Sequence, residues 1–97
     1  MVLGLDLSTK SSGWAIFDQG KYKNSGVVQH SDRDVIQRIV KMATDLEKVI
    51  EKYPEISSVY VEDPKPAQVS GNIDVYRKLT WLQGLVAVVL WRHGLTM

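Results

Sequence analysis

The sequence predicts an α/β fold with a mixed sheet: an antiparallel three-strand meander, then a helix, a parallel strand and a second helix. Three observations carry this expectation. Residues 2–7, 14–17 and 22–28 read as short strands separated by turn residues. Two longer segments, about 35–50 and 73–93, repeat apolar residues at helical spacing. Between them Val59-Tyr60-Val61-Glu62 stands as an isolated short strand.

In Val2-Leu3-Gly4-Leu5-Asp6-Leu7 the period of two puts Leu3, Leu5 and Leu7 on one face and Val2, Gly4 and Asp6 on the other. The polar run Ser8 to Gly13 reads as a turn, Trp14 to Phe17 as the second strand, Gln19-Gly20 as a tight hairpin and Tyr22 to Val28 as the third strand. Ser31 is the expected cap of the first helix, with Asp32 and Asp34 in its first turn complementing the helix dipole. Val35, Ile36, Ile39, Val40, Ala43, Leu46, Val49 and Ile50 form its apolar set, and Pro54 stops it. A helical crossover between strands favours parallel pairing of Val59–Glu62 with an earlier strand. Asp63 to Gly71 reads as a loop and Asn72 as the cap of a second helix ending near Gly94. Leu79, Leu82, Val86 and Val89 or Leu90 define its inner face. A strand at 85–91 is the competing reading, but length and upstream spacing favour helix. Leu85, Val88 and Trp91 on its other sides exceed what one core-facing stripe requires.

A chain of 97 residues, 44% hydrophobic, supports one modest core and one domain spanning 1–97. Its formal net charge of +1 neither demands nor excludes a nucleic-acid partner, so any DNA affinity must come from local placement of charge. The absence of cysteine excludes disulfides and Cys-based zinc sites, leaving oxygen ligands for any catalytic metal. The apolar run Leu85 to Trp91 is far shorter than the roughly 18–20 residues of a membrane span, and Met1 leads straight into a strand pattern. A cytoplasmic location without membrane association is therefore expected.

Asp6 lies near the end of the first strand and Glu62 at the end of the fourth. If those strands are parallel neighbours, the two carboxylates converge at one sheet edge, a donor set suited to Mg2+ or Mn2+ and so to in-line phosphodiester hydrolysis. Taken alone, Asp6 reads as a strand-end aspartate bonding the serine-rich turn after it. The pairing with Glu62 is what favours a metal.

Leu3-Gly4-Leu5-Asp6-Leu7-Ser8 with Gly13-Trp14-Ala15-Ile16, and Val59-Tyr60-Val61-Glu62 followed by a loop and by Gln83-Gly84-Leu85-Val86, resemble the first two acidic motifs of RuvC-type Holliday-junction resolvases of the RNase H-like superfamily. Small phage-type members are the most similar. The resemblance covers nearly the whole chain. It implies a homodimeric, structure-selective DNA endonuclease acting on branched double-stranded DNA with Mg2+ or Mn2+, and it implies metal-ligand and catalytic roles for Asp6 and Glu62. Two departures stand out. Ser8 occupies a position where many members carry glycine, and the family's remaining acids lie on a helix after a fifth strand. The expectation is thus a domain incomplete at its C-terminus, ending near the start of strand five, whose isolated 97 residues cut poorly or not at all.

Lys10, Lys65, Arg77 and Lys78 flank the expected site and are candidate phosphate contacts, although each also reads as ordinary surface charge. Trp14, Trp81 and Trp91 read as core or interface residues, Asp63 as a solvated loop residue or an outer helper of the site rather than a primary ligand, and His30 and His93 as exposed or capping residues at helix boundaries. Two rival classes share parts of the pattern. Actin-like ATPases and sugar kinases also open with Gly-x-Asp and small hydroxyl residues, on far longer two-domain chains. A non-catalytic RNase H-like module would keep only dimerisation or DNA binding.

Overall fold

The computed structural model describes residues 1–62 and 73–97. The strands are β1 (Val2–Asp6), β2 (Ser11–Asp18), β3 (Lys21–Gln29) and β4 (Ser58–Val61), and the helices are α1 (Val35–Lys52) and α2 (Ile73–Arg92). They form one four-stranded sheet in the order β3-β2-β1-β4. β1 pairs antiparallel with β2 and β2 with β3, whereas β4 joins β1 in parallel with Leu3 beside Val59 and Leu5 beside Val61. This is the mixed α/β arrangement expected from the sequence: an antiparallel three-strand meander, then a helix, a parallel strand and a helix.

The alternation in β1 decides which face the helices cover. Leu3, Leu5 and Leu7 are buried together with Ile16 of β2, against Ile39, Met42, Ala43, Leu46 and Ile50 of α1 and Leu82, Val86, Val89 and Leu90 of α2. The opposite face remains uncovered among the described residues: Val2 is 40% exposed, Phe17 37% and Tyr60 73%. Asp6 belongs to that open face.

Gln19 and Gly20 both adopt positive φ, 53° and 77°, which matches the right-handed twist of the two strands they join. α2 ends as its glycine suggests. Gly94 has φ 73°, its N–H donates to the Trp91 carbonyl and the Leu95 N–H donates to the Leu90 carbonyl, a Schellman closure that buries Leu95.

Several expectations need correction. β2 begins at Ser11, so the serine-rich turn is shorter than it reads. Ser12, with no exposed surface, donates from Oγ to the Ser8 carbonyl at 2.8 Å and accepts from the Ser8 N–H at 3.0 Å. The cap of α1 is Asp34, accepting from the Gln37 N–H at 3.1 Å, rather than Ser31, and no acid occupies the first turn. The reason is that Asp32 is already engaged: its carboxylate holds Lys41 at 2.7 Å and its carbonyl holds Arg38 at 3.0 Å, so the chain cannot turn helical until Val35. Ile36 and Val40 are 58% and 48% exposed, while Met42 and Arg38 take buried positions on α1. Leu85 is half-buried against the core, leaving Trp81, Val88 and Trp91 as the exposed apolar side of α2. The proposed cap Asn72 lies outside the described residues, as do Asp63 and Lys65.

Candidate metal centre

Asp6 and Glu62 reach one place because of strand register. Continuing the β1–β4 register past Leu5 and Val61 sets Asp6 beside Glu62, at the roughly 4.8 Å spacing of neighbouring strands and on the same face. The pairing persists at this point, since the Glu62 N–H donates to the Leu5 carbonyl at 3.3 Å. Both carboxylates line an open groove of about 340 Å3 on the uncovered face, together with Gly4, Gly13, Ala15 and Tyr60. The groove floor is small residues, which leaves both acids accessible. A Cβ at Gly13 would lie 3.9 Å from the Asp6 Cβ, in ordinary contact with it.

The electrostatic setting is also particular. Asp32, Asp45, Asp74 and Glu47 each pair with a cationic side chain. No hydrogen bond or ion pair engages the Asp6 or Glu62 carboxylate among the described residues. Two exposed, unpaired carboxylates held side by side by backbone pairing repel each other, and a divalent cation relieves that repulsion. Oxygen donors of this kind fit a hard cation such as Mg2+ or Mn2+, with water and phosphate oxygens completing the shell.

The loop after β1 is held firmly beside the groove. Besides the Ser8–Ser12 exchange, the Arg38 guanidinium donates to the Thr9 carbonyl at 2.8 Å and to Thr9 Oγ1 at 3.4 Å. Lys10 follows, exposed and without an ion-pair partner among the described residues. Arg77 is exposed near the start of α2, whereas Lys78 is occupied by Asp74 at 2.8 Å. That hydrogen bond, with the positive charges of Lys78 and Arg77 nearby, holds the Asp74 carboxyl below its ordinary value. Lys78 is therefore a weaker candidate for a phosphate contact than Lys10.

Sequence reasoning missed three features. Tyr60 lies in the groove, and its place follows from β4 alternation once Glu62 is assigned there. His30 is not a capping or free residue: it directly follows β3 and its Nε2 lies 2.7 Å from Asp45 Oδ2. His93 lies 2.9 Å from Glu47 and, with Glu51, completes a group whose potential ligand atoms lie within 4.8 Å of one another. Arg92 already donates to both Glu47 oxygens at 3.2 Å, so a cation there would have to displace a guanidinium. No sequence signal marks this group, because it joins residues 47 and 93 across two helices.

No protein-family model and no curated protein matches the sequence. Solved structures do. RuvC of T. thermophilus in complex with a Holliday junction substrate superposes with a TM-score of 0.82 at 18% identity, over 97% of this chain and 59% of that one. A second structure of Thermus thermophilus RuvC gives a TM-score of 0.75 at 20% identity with the same coverage. The chain thus spans about 59% of the length of the RuvC chains it matches. At this identity the likeness is one of fold: the chain has the RNase H-like architecture that RuvC uses.

Proposed function

We propose that this chain is the acid-bearing part of a divalent-metal-dependent, structure-selective DNA endonuclease of the Holliday-junction resolvase type, related to the small phage members. One observation carries the reading: Asp6 and Glu62 sit unpaired in one open groove, on adjacent parallel strands of a fold matched by a junction-bound RuvC. Asp6 and Glu62 would hold Mg2+ or Mn2+, which supplies charge neutralisation at a phosphodiester and an activated water. The chain's own groups orient the reaction. Adjacent strands fix the separation of the two acids, the Ser8–Ser12 exchange and Arg38 fix the loop next to them, and Lys10 adds positive charge for a DNA backbone. Lys65 and Arg77 remain candidates for further phosphate contacts.

Two carboxylates hold one ion weakly, and a two-metal mechanism requires more oxygen ligands. By itself this chain is therefore expected to bind junctions better than it cuts them. A homodimer through α2 is part of the proposal, because Trp81, Val88 and Trp91 are 47%, 53% and 74% exposed at spacings that share one helix side. No helix among the described residues is long and apolar enough to cross a membrane. We assign action on DNA in the cytoplasm.

The test is fluorescence anisotropy with a four-way junction and a linear duplex of the same length, with and without Mn2+. Preference for the junction, strengthened by Mn2+ and losing that strengthening in Asp6→Asn, is the expected result. Equal affinity for both DNAs, or indifference to Mn2+, would remove the nuclease reading. Junction binding that neither Mn2+ nor Asp6→Asn alters would favour a non-catalytic module, and ATP turnover would favour the kinase-like class.

A further inference from the structure

We infer that the pocket where the β1–β2 loop meets the end of β3 is a phosphate-binding subsite, which grips the DNA backbone a few nucleotides from the acid pair. The inference rests on the nuclease reading for its substrate and adds a specific grip to it. Lys10, Ser11, Gln29, His30 and Ser31 line this pocket, about 440 Å3 in volume, and none of them is acidic. Their chemistry suits an anion: an ammonium without an ion-pair partner among the described residues, two hydroxyls, a carboxamide and an imidazole.

Position ties the pocket to the candidate metal centre. Asp6 pairs with Gly13, and Ser11 lies two residues before Gly13, so Ser11 shares the open face with Asp6. Gln29 is the register partner of Ser11 and shares that face too, its Nε2 donating to Ser11 Oγ at 3.5 Å. Two strand widths across and two residues along, the pocket lies roughly 12 Å from Asp6. A continuous strand of nucleic acid crossing the open face would meet both.

The pocket is also built on a fixed frame. Arg38, Lys41 and Asp45 stand at i, i+3 and i+7 on one side of α1, and each holds a residue at or beside the pocket rim. Arg38 donates to the carbonyls of Thr9 and Asp32, the residues directly before Lys10 and after Ser31. Lys41 holds the Asp32 carboxylate, and Asp45 holds the His30 ring. The His30 N–H completes the closure by donating to the Lys10 carbonyl at 3.0 Å. Arg38 is only 8% exposed, yet its hydrogen bonds go to neutral oxygens and no carboxylate pairs with it among the described residues. A buried cation without a counter-ion favours an anion nearby, and a preformed rim loses little entropy on binding one. Arg38 and Asp45 are accordingly positioning residues.

The test uses Lys10→Ala and Gln29→Glu, exposed positions whose replacement leaves the core intact, in the full chain. Junction affinity is measured by anisotropy across a salt series, and Mn2+ binding near Asp6 by paramagnetic broadening of amide signals. Lys10→Ala is expected to lower the salt slope by about one, and Gln29→Glu to weaken binding about tenfold or more, both with Mn2+ broadening retained. Affinities within twofold of wild type with unchanged salt slope, while Mn2+ broadening persists, would overturn the subsite and leave the metal centre standing. A wild-type chain showing neither junction binding nor Mn2+ broadening would overturn both. Inorganic phosphate is the second probe: saturable shifts at Gln29 with unaltered DNA affinity in both variants would assign the pocket to a free phosphate and overturn the DNA grip.

Discussion

Replacing Gly26 by alanine drives a methyl group into the Trp14 indole. A Cβ at Gly26 would stand 2.7 Å from Cζ2 and 2.8 Å from Cε2 and Nε1 of that ring. Carbon–carbon contact is comfortable only from about 3.5 Å, so the indole must retreat by roughly 0.8 Å. Its retreat is constrained, because the ring packs at 6.3 Å and a 51° tilt against Tyr53, whose hydroxyl accepts from Asn24 Nδ2 at 2.7 Å. Overpacking of this kind costs about 1–3 kcal/mol. Gly26 does not occupy the left-handed region, so alanine also restricts the unfolded chain and returns about 0.4–1 kcal/mol. Because the ring's retreat is constrained, the overpacking cost falls in the upper half of its range, about 2–3 kcal/mol, and the net expectation is a loss of about 1–2.5 kcal/mol, or a urea midpoint lower by about 1 M at a slope near 1–2 kcal/mol/M. Equilibrium unfolding followed by circular dichroism and tryptophan fluorescence measures it. Adding Trp14→Phe to the alanine variant should recover part of the loss, a coupling of at least about 0.5 kcal/mol. A midpoint unchanged or raised by Gly26→Ala would refute the packing described for this corner.

Further outcomes follow from other residues. Gly84 lies in α2 with nothing within 4 Å of a Cβ, so Gly84→Ala should stabilise a monomer by about 0.8–1 kcal/mol in dilute solution; a lower melting temperature would show that this side is packed against a partner. Leu82 of α2 is fully buried in the core, and Leu82→Ala should cost about 2–5 kcal/mol in urea titration; a loss under 1 kcal/mol would contradict the core assignment. The Lys41 hydrogen bond holds the Asp32 carboxyl below its ordinary value of 3.8, with Lys41 charge adding to the effect. A lowered folded pKa means that this contribution is complete above pH 3.8 and fades as pH falls through the folded value. Lys41→Met should move the Asp32 carboxyl upward in an NMR titration, and an unmoved titration would discount the pair.

Much of this architecture is legible in the sequence because it depends on local period. Leu3, Leu5 and Leu7 announce the buried face of β1, and Leu82, Val86, Val89 and Leu90 that of α2. The parallel sense of β4 follows from one topological rule, that a helical crossover returns a strand in parallel, while its place beside β1, which brings Glu62 next to Asp6, is set by the sheet order. Features set by partners distant in sequence are not legible in this way. Arg38 sits beside Ile39 in the helical pattern, and its bonds to Thr9, 29 positions earlier, and to the Asp32 carbonyl make its burial tolerable. Ser31 and Asp34 are equivalent as caps until the Asp32 contacts exclude the first. Ser11 and Ser12 read as turn residues, yet β3 recruits them into β2 by pairing with Gln29 and Val28. Lys78 has the right charge to meet a phosphate, but Asp74, one helical turn earlier, occupies it.

The central claim is that Asp6 and Glu62 together hold a divalent cation, and substoichiometric Mn2+ added to isotope-labelled chain tests it most directly. Paramagnetic broadening should centre on the amides of Leu5, Asp6, Leu7, Gly13, Val61 and Glu62, the backbone around the open groove. Asp6→Asn should abolish it, and Glu62→Gln should weaken it, without altering the fold seen in the remaining amides. Broadening centred instead on Glu47, Glu51 and His93, or broadening at the groove that survives Asp6→Asn, would contradict the account.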